Sequence, residues 1–339
     1  KVLTCKFKIM KKLIIGIDIS AETLDICLKT DLEERYEVIE NEISVIKKFF
    51  KSFKIYEEVV VAMENTGRYN WNLYEVLEHF EFKVYVINPL HLKKSLGLSR
   101  GKNDKIDASR IAHFIERNSG DIELWKPSSE SMKKLKVLLT ERKSKVKLKS
   151  SLLQQKKNYK CTKAIGLEKM LLKINEKEIK LLTDHIKFLE QEMEKVIKMD
   201  AELKEKSGLM QSIPGVGKVL TWMILAKTDN FQMIDSARKL ACYSGVVPFD
   251  HQSGTSLRYR PKVSPYADKS LKSTLHLGAM SVVKLDNDLS KYYQRKVLEG
   301  KNKMLVLNNI RNKIIHLIFA VLKSGKKYEN NYQNSLAVS

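Results

Sequence analysis

Apolar and polar positions alternate with a strand-like period in five short runs between residue 11 and about residue 117. The runs are LIIGIDIS, TLDICLKT, RYEVIENE, EVVVAMEN and FKVYVINP. Helical spacing of apolar residues occupies the stretches near 43–53 and 69–80 and begins again at about 104. The first three runs are joined by connections too short for crossover helices. We therefore predict an α/β domain over residues 10–125, with a mixed sheet, an antiparallel meander at its start and flanking helices.

A different pattern follows over residues 128–205, where Gly and Pro are almost absent. Apolar residues recur there at alternating spacings of three and four, as in a heptad seam. They are Ile179, Leu182, Ile186, Leu189, Met193 and Val196. The pattern predicts a coiled-coil segment made of two long helices. They form either an antiparallel pair within one chain or a coil between chains.

Gly and Pro return from about residue 206, and we predict a third, mostly helical domain over 206–328. Helices are expected near 266–284 and 302–323, with an extended basic loop before them. Residues 329–339 are polar and are predicted to be disordered. The best apolar stretch, Ile314 to Leu322, is far shorter than the roughly 20 residues that a membrane span needs. We expect a soluble protein with no membrane partner.

The charge of the chain points to a polyanionic partner. There are 62 Lys and Arg against 40 Asp and Glu, which gives a formal net charge of +22. Residues 133–163 alone hold twelve basic residues and one acid, Glu141. This excess favours nucleic acid over a small acidic metabolite, and a solvated helix face is the alternative. Four scattered cysteines without a CxxC pair argue against zinc and against disulfides, and favour a reducing cytoplasm.

Four carboxylates stand out in this basic chain. Asp18 ends the first apolar strand, and Glu64 ends EVVVAME. Asp104 and Asp107 share one face of the helix that begins after residue 103. Carboxylates brought together repel unless a cation neutralises them, and an all-oxygen set favours Mg²⁺ or Mn²⁺. Each could instead be an ordinary turn or cap residue. Periodicity alone therefore leaves both interpretations open: a metal site, or unrelated turn and cap residues.

A resemblance to a known family favours the metal site. GIDIS, AMENTGRYN, VINPLHLKKSLG and KNDKIDASRIA look like the DEDD signature of IS110-type insertion-sequence transposases, and SIPGVGKVLTWMIL, ARKLACYSGVVP and QSGTSLR continue the match. The resemblance implies a RuvC-like, ribonuclease-H-like domain with Asp18, Glu64, Asp104 and Asp107 as Mg²⁺ ligands. It also implies a carboxy-terminal transposase domain joined through a coiled coil. Assembly as dimers or tetramers and guidance by a bridge RNA of the element are further implications.

Ser253, in HQSGTSLRYRPK, matches the nucleophile position of these recombinases. On residues alone it is an ordinary loop serine, because only His251 is a nearby candidate base. Thr255 and Ser256 are neighbouring hydroxyls, so Ser256 stays an alternative. Basic residues that could hold phosphate follow, and they are Arg258, Arg260 and Lys262.

The stretch IPGVGK resembles the hairpin of a helix-hairpin-helix module. We predict that Gly215, Gly217 and Lys218 contact nucleic acid, with a helix-starting turn as the alternative. The spacing is not that of an ATP-binding P-loop.

These observations predict a DNA recombinase that moves an insertion sequence by Mg²⁺-assisted serine chemistry in a bacterial or archaeal cytoplasm, near the nucleoid. Its expected partners are DNA, a guide RNA and further copies of the chain. One rival is a junction resolvase or nuclease in which water attacks. Another is a non-catalytic protein that binds nucleic acid and whose acidic cluster is structural.

Overall fold

The computed structural model describes residues 10–89, 91–92, 104–253 and 257–330, with the backbone alone at 10, 11, 160, 249–253 and 257–262. The chain forms two compact units, one ending at Pro127 and one beginning at Ser128.

The first unit is built on a five-stranded mixed sheet with the order β3-β2-β1-β4-β5. Strands β1, β2 and β3 pair antiparallel, whereas β4 and β5 run parallel to β1. The strands are β1 (Met10–Ile19), β2 (Thr23–Lys29), β3 (Glu34–Glu40), β4 (Tyr56–Glu64) and β5 (Lys83–Ile87). The predicted meander is confirmed, because turns of three and four residues join the antiparallel strands.

Helices cover both faces of this sheet. Helices α1 (Ile43–Lys51) and α2 (Trp71–Leu77) pack on one face, where Ile46, Phe50 and Leu73 join the buried core. Helix α3 (Asp104–Asn118) packs on the other face through Ala108, Ile111, Ala112 and Ile115. The first part of the predicted fold class, an α/β domain with a mixed sheet and flanking helices, is confirmed. Its RuvC-like (ribonuclease-H-like) type stays a prediction.

Helix α3 lies unusually close to strand β1. A Cβ placed on Gly16 would overlap the carbonyl oxygen of Ala108 and lie 2.5 Å from the backbone nitrogen of Ala112. Only glycine leaves room for a helix backbone at this distance. The small residues on both elements therefore set the separation between α3 and the carboxyl end of β1.

The second unit is mostly helical, as predicted. Its helices are α4 (Glu130–Asn158), α5 (Glu168–Met199), α6 (Ala201–Gln211), α7 (Lys218–Thr228), α8 (Ala237–Tyr243), α9 (Lys269–Val282), α10 (Asp288–Leu298) and α11 (Lys303–Ser324). Helix α11 is long and apolar enough to qualify as a membrane span by length and composition. The apolar stretch expected from the sequence was shorter. Ile310, Ile314 and Ile318 of helix α11 are fully buried in the core of this unit.

Helices α4 and α5 form an antiparallel pair within one chain. Arg142 pairs with Glu190 at 2.7 Å, and Lys156 pairs with Glu176 at 2.7 Å nearer the connection between the helices. The ends that lead away from this connection enter the core of the unit through Leu135 and Met193. The antiparallel alternative is thus observed. A separate coiled-coil domain over 128–205 stays a prediction, as do the other predicted domain boundaries.

One prediction about the second unit is wrong. The basic segment expected to be an extended loop forms two antiparallel strands, β6 (Phe249–Ser253) and β7 (Leu257–Lys262). Backbone pairing along the two strands is what turns this charged run into a hairpin. The predicted disordered tail lies mostly beyond residue 330, outside the described residues.

Candidate functional site

Three of the four predicted carboxylates come together in the first unit. Asp18 lies near the carboxyl end of β1, and Asp104 and Asp107 lie in the first turn of α3. Carboxylate oxygens of these three residues all lie within 4.8 Å of one another. The close packing of α3 at Gly16 carries its first turn toward the end of β1. Asp104 is exposed and Asp107 is partly buried. The role of these residues as metal ligands stays a prediction.

Glu64 is the last residue of the neighbouring parallel strand β4. Ile17 of β1 pairs with Met63 of β4, and Asp18 and Glu64 are the next residues on these two parallel strands. Their side chains therefore project from the same face of the sheet. The fully buried Asn70, which the sequence analysis missed, donates to the carbonyl oxygen of Glu64 at 3.0 Å. Asn70 thereby fixes the end of the strand that carries Glu64.

The cluster changes the acidity of Asp18. Burial, followed by the charges of Asp107, Asp104 and Glu64 in that order, raises the pKa of Asp18 to about 6. A hydrogen bond from the backbone of Ile19 acts in the opposite direction. A buried carboxylate among like charges binds a proton more tightly, and a cation can take the place of that proton.

Asp25 is a fifth acidic residue beside this cluster, and sequence reasoning did not select it. It pairs directly with Asp18 across β1 and β2, so both side chains lie on the same face. Burial, followed by the charge of Asp104, raises the pKa of Asp25. The alternation in TLDICLKT, together with the antiparallel pairing, was the signal that could have found it.

One cation lies against the cluster. Arg110 donates from Nη1 to Oδ1 of Asp107 at 2.8 Å, one helical turn further along α3. Both side chains are mostly buried. The spacing of three residues was visible in the sequence, but its direction toward Asp107 depends on packing.

The donor set fits a hard divalent cation. Every atom that the cluster offers is a carboxylate oxygen, and Mg²⁺ and Mn²⁺ prefer such ligands. Bound there, such an ion would polarise a phosphoryl oxygen and stabilise charge that develops on it. Asp18, Asp104 and Asp107 would hold the ion, with Glu64 at the adjacent strand end. Another acidic group, Glu75, Glu78 and His79, lies on and just after helix α2.

The predicted nucleophile lies in the second unit. Ser253 is the last residue of β6 and pairs through its backbone with Leu257, while His251 pairs with Tyr259. Arg258, Arg260 and Lys262 all lie on β7. Thr255 and the alternative nucleophile Ser256 lie outside the described residues. The hairpin thus places Ser253 at a strand end, followed by a basic strand.

The IPGVGK turn connects α6 to α7. Gly215 has a positive φ of 82°, and a Cβ there would lie 2.6 Å from the carbonyl oxygen of Gly278 on α9. Gly215 therefore has a packing role in addition to any contact with nucleic acid. Gly217 is exposed at the amino end of α7, and Lys218 pairs with Glu194 at 2.7 Å. Binding of nucleic acid by these three residues stays a prediction.

Comparison with known proteins identifies the family. A DEDD transposase model of the IS110 group matches residues 15–159, and the model described as "Transposase IS116/IS110/IS902 family" matches residues 207–294. The chain belongs to the IS110 family of transposases. The resemblance read from the sequence motifs is therefore confirmed, and the chain is an enzyme of the transposase and DNA recombinase class.

Two relatives illustrate how far the similarity extends along the chain. The pilin gene-inverting protein of Moraxella lacunata is 27% identical over 94% of this chain and 98% of its own. The transposase for insertion sequence element IS1111A of Coxiella burnetii is 22% identical over 93% of this chain and 91% of its own. Among solved structures, T. thermophilus RuvC in complex with a Holliday junction substrate matches with a TM-score of 0.26 and 18% identity. That match covers 34% of this chain and 99% of RuvC.

Proposed function

We propose that this IS110 transposase excises and inserts a mobile element by serine chemistry that a divalent ion assists. The observation that carries the proposal is the convergence of Asp18, Asp104 and Asp107 within 4.8 Å, with a raised pKa at Asp18. In a chain of net charge +22, a cluster of repelling carboxylates is best explained by a bound cation. The ion is Mg²⁺ or Mn²⁺, and Glu64 completes the ligand set.

Ser253 is the proposed nucleophile. Its Oγ attacks a DNA phosphate, a bond forms between Oγ and phosphorus, and the bond to the leaving strand oxygen breaks. The proton of Ser253 passes to a base, and the released strand oxygen takes up a proton. In rejoining, a strand hydroxyl attacks the phosphoserine and frees Ser253. Because one ester replaces another, no outside energy source is needed. Arg258, Arg260 and Lys262 on the adjacent strand hold the phosphate backbone, as do Gly217 and Lys218 at the start of α7.

Nucleic acid also has a long basic surface to bind on helix α4. Lys143, Lys147, Lys149 and Lys157 have no ion-pair partner within the part of the chain that the structure describes. This surface fits a polyanion, and we assign to it the bridge RNA or the DNA of the element. Lysine contacts of this kind hold the phosphate backbone and do not select a base sequence.

Assembly with a second copy is supported by helix α5. Apolar residues that do not join the core recur there with a spacing of seven between the last three, and they are Met170, Ile174, Leu181 and Phe188, between 51% and 60% exposed. Heptad spacing on an open helix face is typical of a coiled-coil contact. We propose that this stripe pairs two copies, so that the carboxylates and Ser253 of different copies act together.

A joining assay with the element's ends and flanking RNA tests the mechanism. Wild type is expected to form a covalent protein–DNA adduct and joined product in Mg²⁺. Ser253→Ala is expected to lose both, and Ser256→Ala is expected to keep both. Asp18→Asn is expected to lose Mg²⁺-dependent cleavage by a factor of about 100 or more. Normal cleavage by Ser253→Ala would instead establish a nuclease in which water attacks. Normal cleavage by Asp18→Asn would show that the acidic cluster is structural.

A further inference from the structure

A basic pocket lies in the second unit between helices α9 and α11. It has a volume of about 260 Å³. Its lining consists of Lys269, Lys272, Ser273, His276, Met304 and Arg311. The four residues from α9 follow each other at spacings of three, one and three, which places them on one helix face. Among these described lining residues, four side chains are basic and none is acidic.

Arg311 is the most unusual residue of this pocket. Only 7% of it is exposed, yet within the described residues it forms no ion pair. Its Nε is buried and lacks a hydrogen-bond partner. Taking a guanidinium out of water without a partner is unfavourable, so such residues are rare in folded proteins. A ligand that accepts hydrogen bonds from Arg311 would remove this penalty.

The neighbouring side chains show that the positive charge is uncompensated. Burial and then the charge of Arg311 lower the pKa of Lys272, and the same two causes lower the pKa of His276. Nδ1 of His276 is also buried without a hydrogen-bond partner. Within the described part of the pocket, basic side chains therefore share one space that no carboxylate lines. A ligand with several anionic oxygens is complementary to them, whereas a metal ion or a cation is not.

The position of the pocket links it to the strands that carry Ser253. The backbone nitrogen of Asp268, the residue that caps α9, donates to the carbonyl oxygen of Tyr243 at 2.8 Å. Nδ2 of Asn308 on α11 donates to the carbonyl oxygen of Val246 at 2.8 Å. Residues 243–246 lead directly into β6, and β7 leads back to α9. The hairpin thus leaves and rejoins the helical unit beside this pocket.

We propose that the pocket formed by Lys269, Lys272, Ser273, His276 and Arg311 binds a phosphodiester group of the nucleic acid strand that the β6–β7 hairpin engages. The inference rests on the proposed function for the identity of the ligand as nucleic acid. Arg311 supplies a planar set of donors at the base of the pocket, and Lys272 with Lys269 adds charge at its rim. Such a contact holds the strand in register without reading its sequence.

Binding by the full chain tests the proposal with labelled DNA and labelled RNA of matched length over a range of salt concentrations. Arg311→Gln and Lys272→Gln are each expected to weaken binding roughly tenfold and to reduce the slope of log K against log salt by about 1. Lys323→Gln is the matched control, because Lys323 is an exposed cation on the same helix. It is expected to change binding less than about twofold. Whichever nucleic acid shows the reduced slope is the source of the phosphate.

Thermal unfolding separates this role from a structural one. Without ligand, Arg311→Gln is expected to unfold at the same or a higher temperature than wild type, since it removes an unpaired buried charge. Inorganic pyrophosphate is expected to raise the unfolding temperature of wild type and of Lys323→Gln, but not of Arg311→Gln. Equal stabilisation of all three, or an unchanged salt slope in both pocket variants, would overturn the proposal.

The joining assay fails or succeeds independently of this test. If Ser253→Ala joins DNA normally while the pocket variants lose affinity, the serine mechanism is wrong and the pocket stands. If the pocket variants bind normally while Ser253→Ala is inactive, the pocket assignment alone is wrong.

Discussion

The guanidinium of Arg110 lies 2.8 Å from the carboxylate of Asp107, at the edge of the aspartate cluster. This ion pair neutralises one of the groups that would bind a divalent ion. Arg110 therefore stabilises the cluster when no metal is bound, and it competes with the metal for Asp107.

We expect Arg110→Gln to bind Mn²⁺ about three- to fivefold more tightly than wild type, because a partly exposed ion pair contributes about 1 kcal/mol or less. The metal-free variant should also unfold at a lower temperature, since the carboxylates repel without the guanidinium. Titration calorimetry and thermal unfolding in chelator measure the two effects. Arg117→Gln, further along the same helix and exposed, should change neither. Weaker Mn²⁺ binding by Arg110→Gln would show that Arg110 positions Asp107 for the metal.

The raised pKa of Asp18 predicts a pH dependence of the metal-free protein. Burial, with help from Asp107 and Asp104, raises this pKa from 3.8 to about 6. Between these two pH values the folded protein holds a proton that the unfolded chain has released. The contribution of Asp18 to stability is therefore complete below pH 3.8 and is lost as the pH rises to about 6. Its size is at most about 3 kcal/mol, because solvent screens a carboxylate that is only partly buried.

Urea unfolding in chelator between these pH values measures this slope. Asp18→Asn should lack the Asp18 contribution and should be more stable than wild type at neutral pH. Asp31→Asn, an exposed turn residue of the same unit, should keep the wild-type slope. Identical slopes for wild type and Asp18→Asn would contradict the assigned burial of this carboxylate.

Gly16 sets the distance between α3 and β1, so Gly16→Ala should push the helix away from the sheet. Overpacking of this kind costs about 1–3 kcal/mol of the free energy of unfolding. The shift should also separate Asp104 and Asp107 from Asp18 and weaken Mn²⁺ binding. Gly120→Ala is the control, because a Cβ at Gly120 meets no atom within 4 Å. Denaturant unfolding and Mn²⁺ titration of both variants measure the two effects. Unchanged Mn²⁺ affinity in Gly16→Ala would show that the spacing between α3 and β1 does not control metal binding.

The exposed stripe on α5 predicts the oligomeric state. Leu181→Glu and Phe188→Glu should shift the chain toward monomer, because each places a charge in a heptad contact. Light scattering coupled to size exclusion measures the mass. Lys187→Glu changes the charge beside Phe188 without entering the stripe and should leave assembly intact. An unchanged mass for both stripe variants would show that this stripe does not form the contact between copies.

Sequence patterns found the local parts of the site and missed the parts made by packing. Asp18 and Glu64 were predictable because each ends a buried strand whose apolar pattern is continuous along the chain. Asp25 was missed because its importance depends on which residue it pairs with on β1. The β6–β7 hairpin was missed because its Gly and hydroxyl residues were read as a loop, although the basic residues of β7 recur at every second position.

Buried polar residues were the least predictable. Asn70 and Arg311 are of types usually exposed, and nothing local in their sequence marks them as buried. Their burial follows from contacts with residues distant in the chain. Functional positions of this kind become visible only when the elements are assembled.

The antiparallel pair of α4 and α5 also determines a length scale. With 29 residues, α4 extends about 44 Å, comparable to about 13 base pairs of duplex DNA. The exposed stripe begins about 14 Å from the buried Ile197 and runs toward the far end of the pair. Two copies joined there in opposite directions would keep their helical cores tens of ångströms apart, a separation suited to reaching two distinct points on a nucleic acid at once.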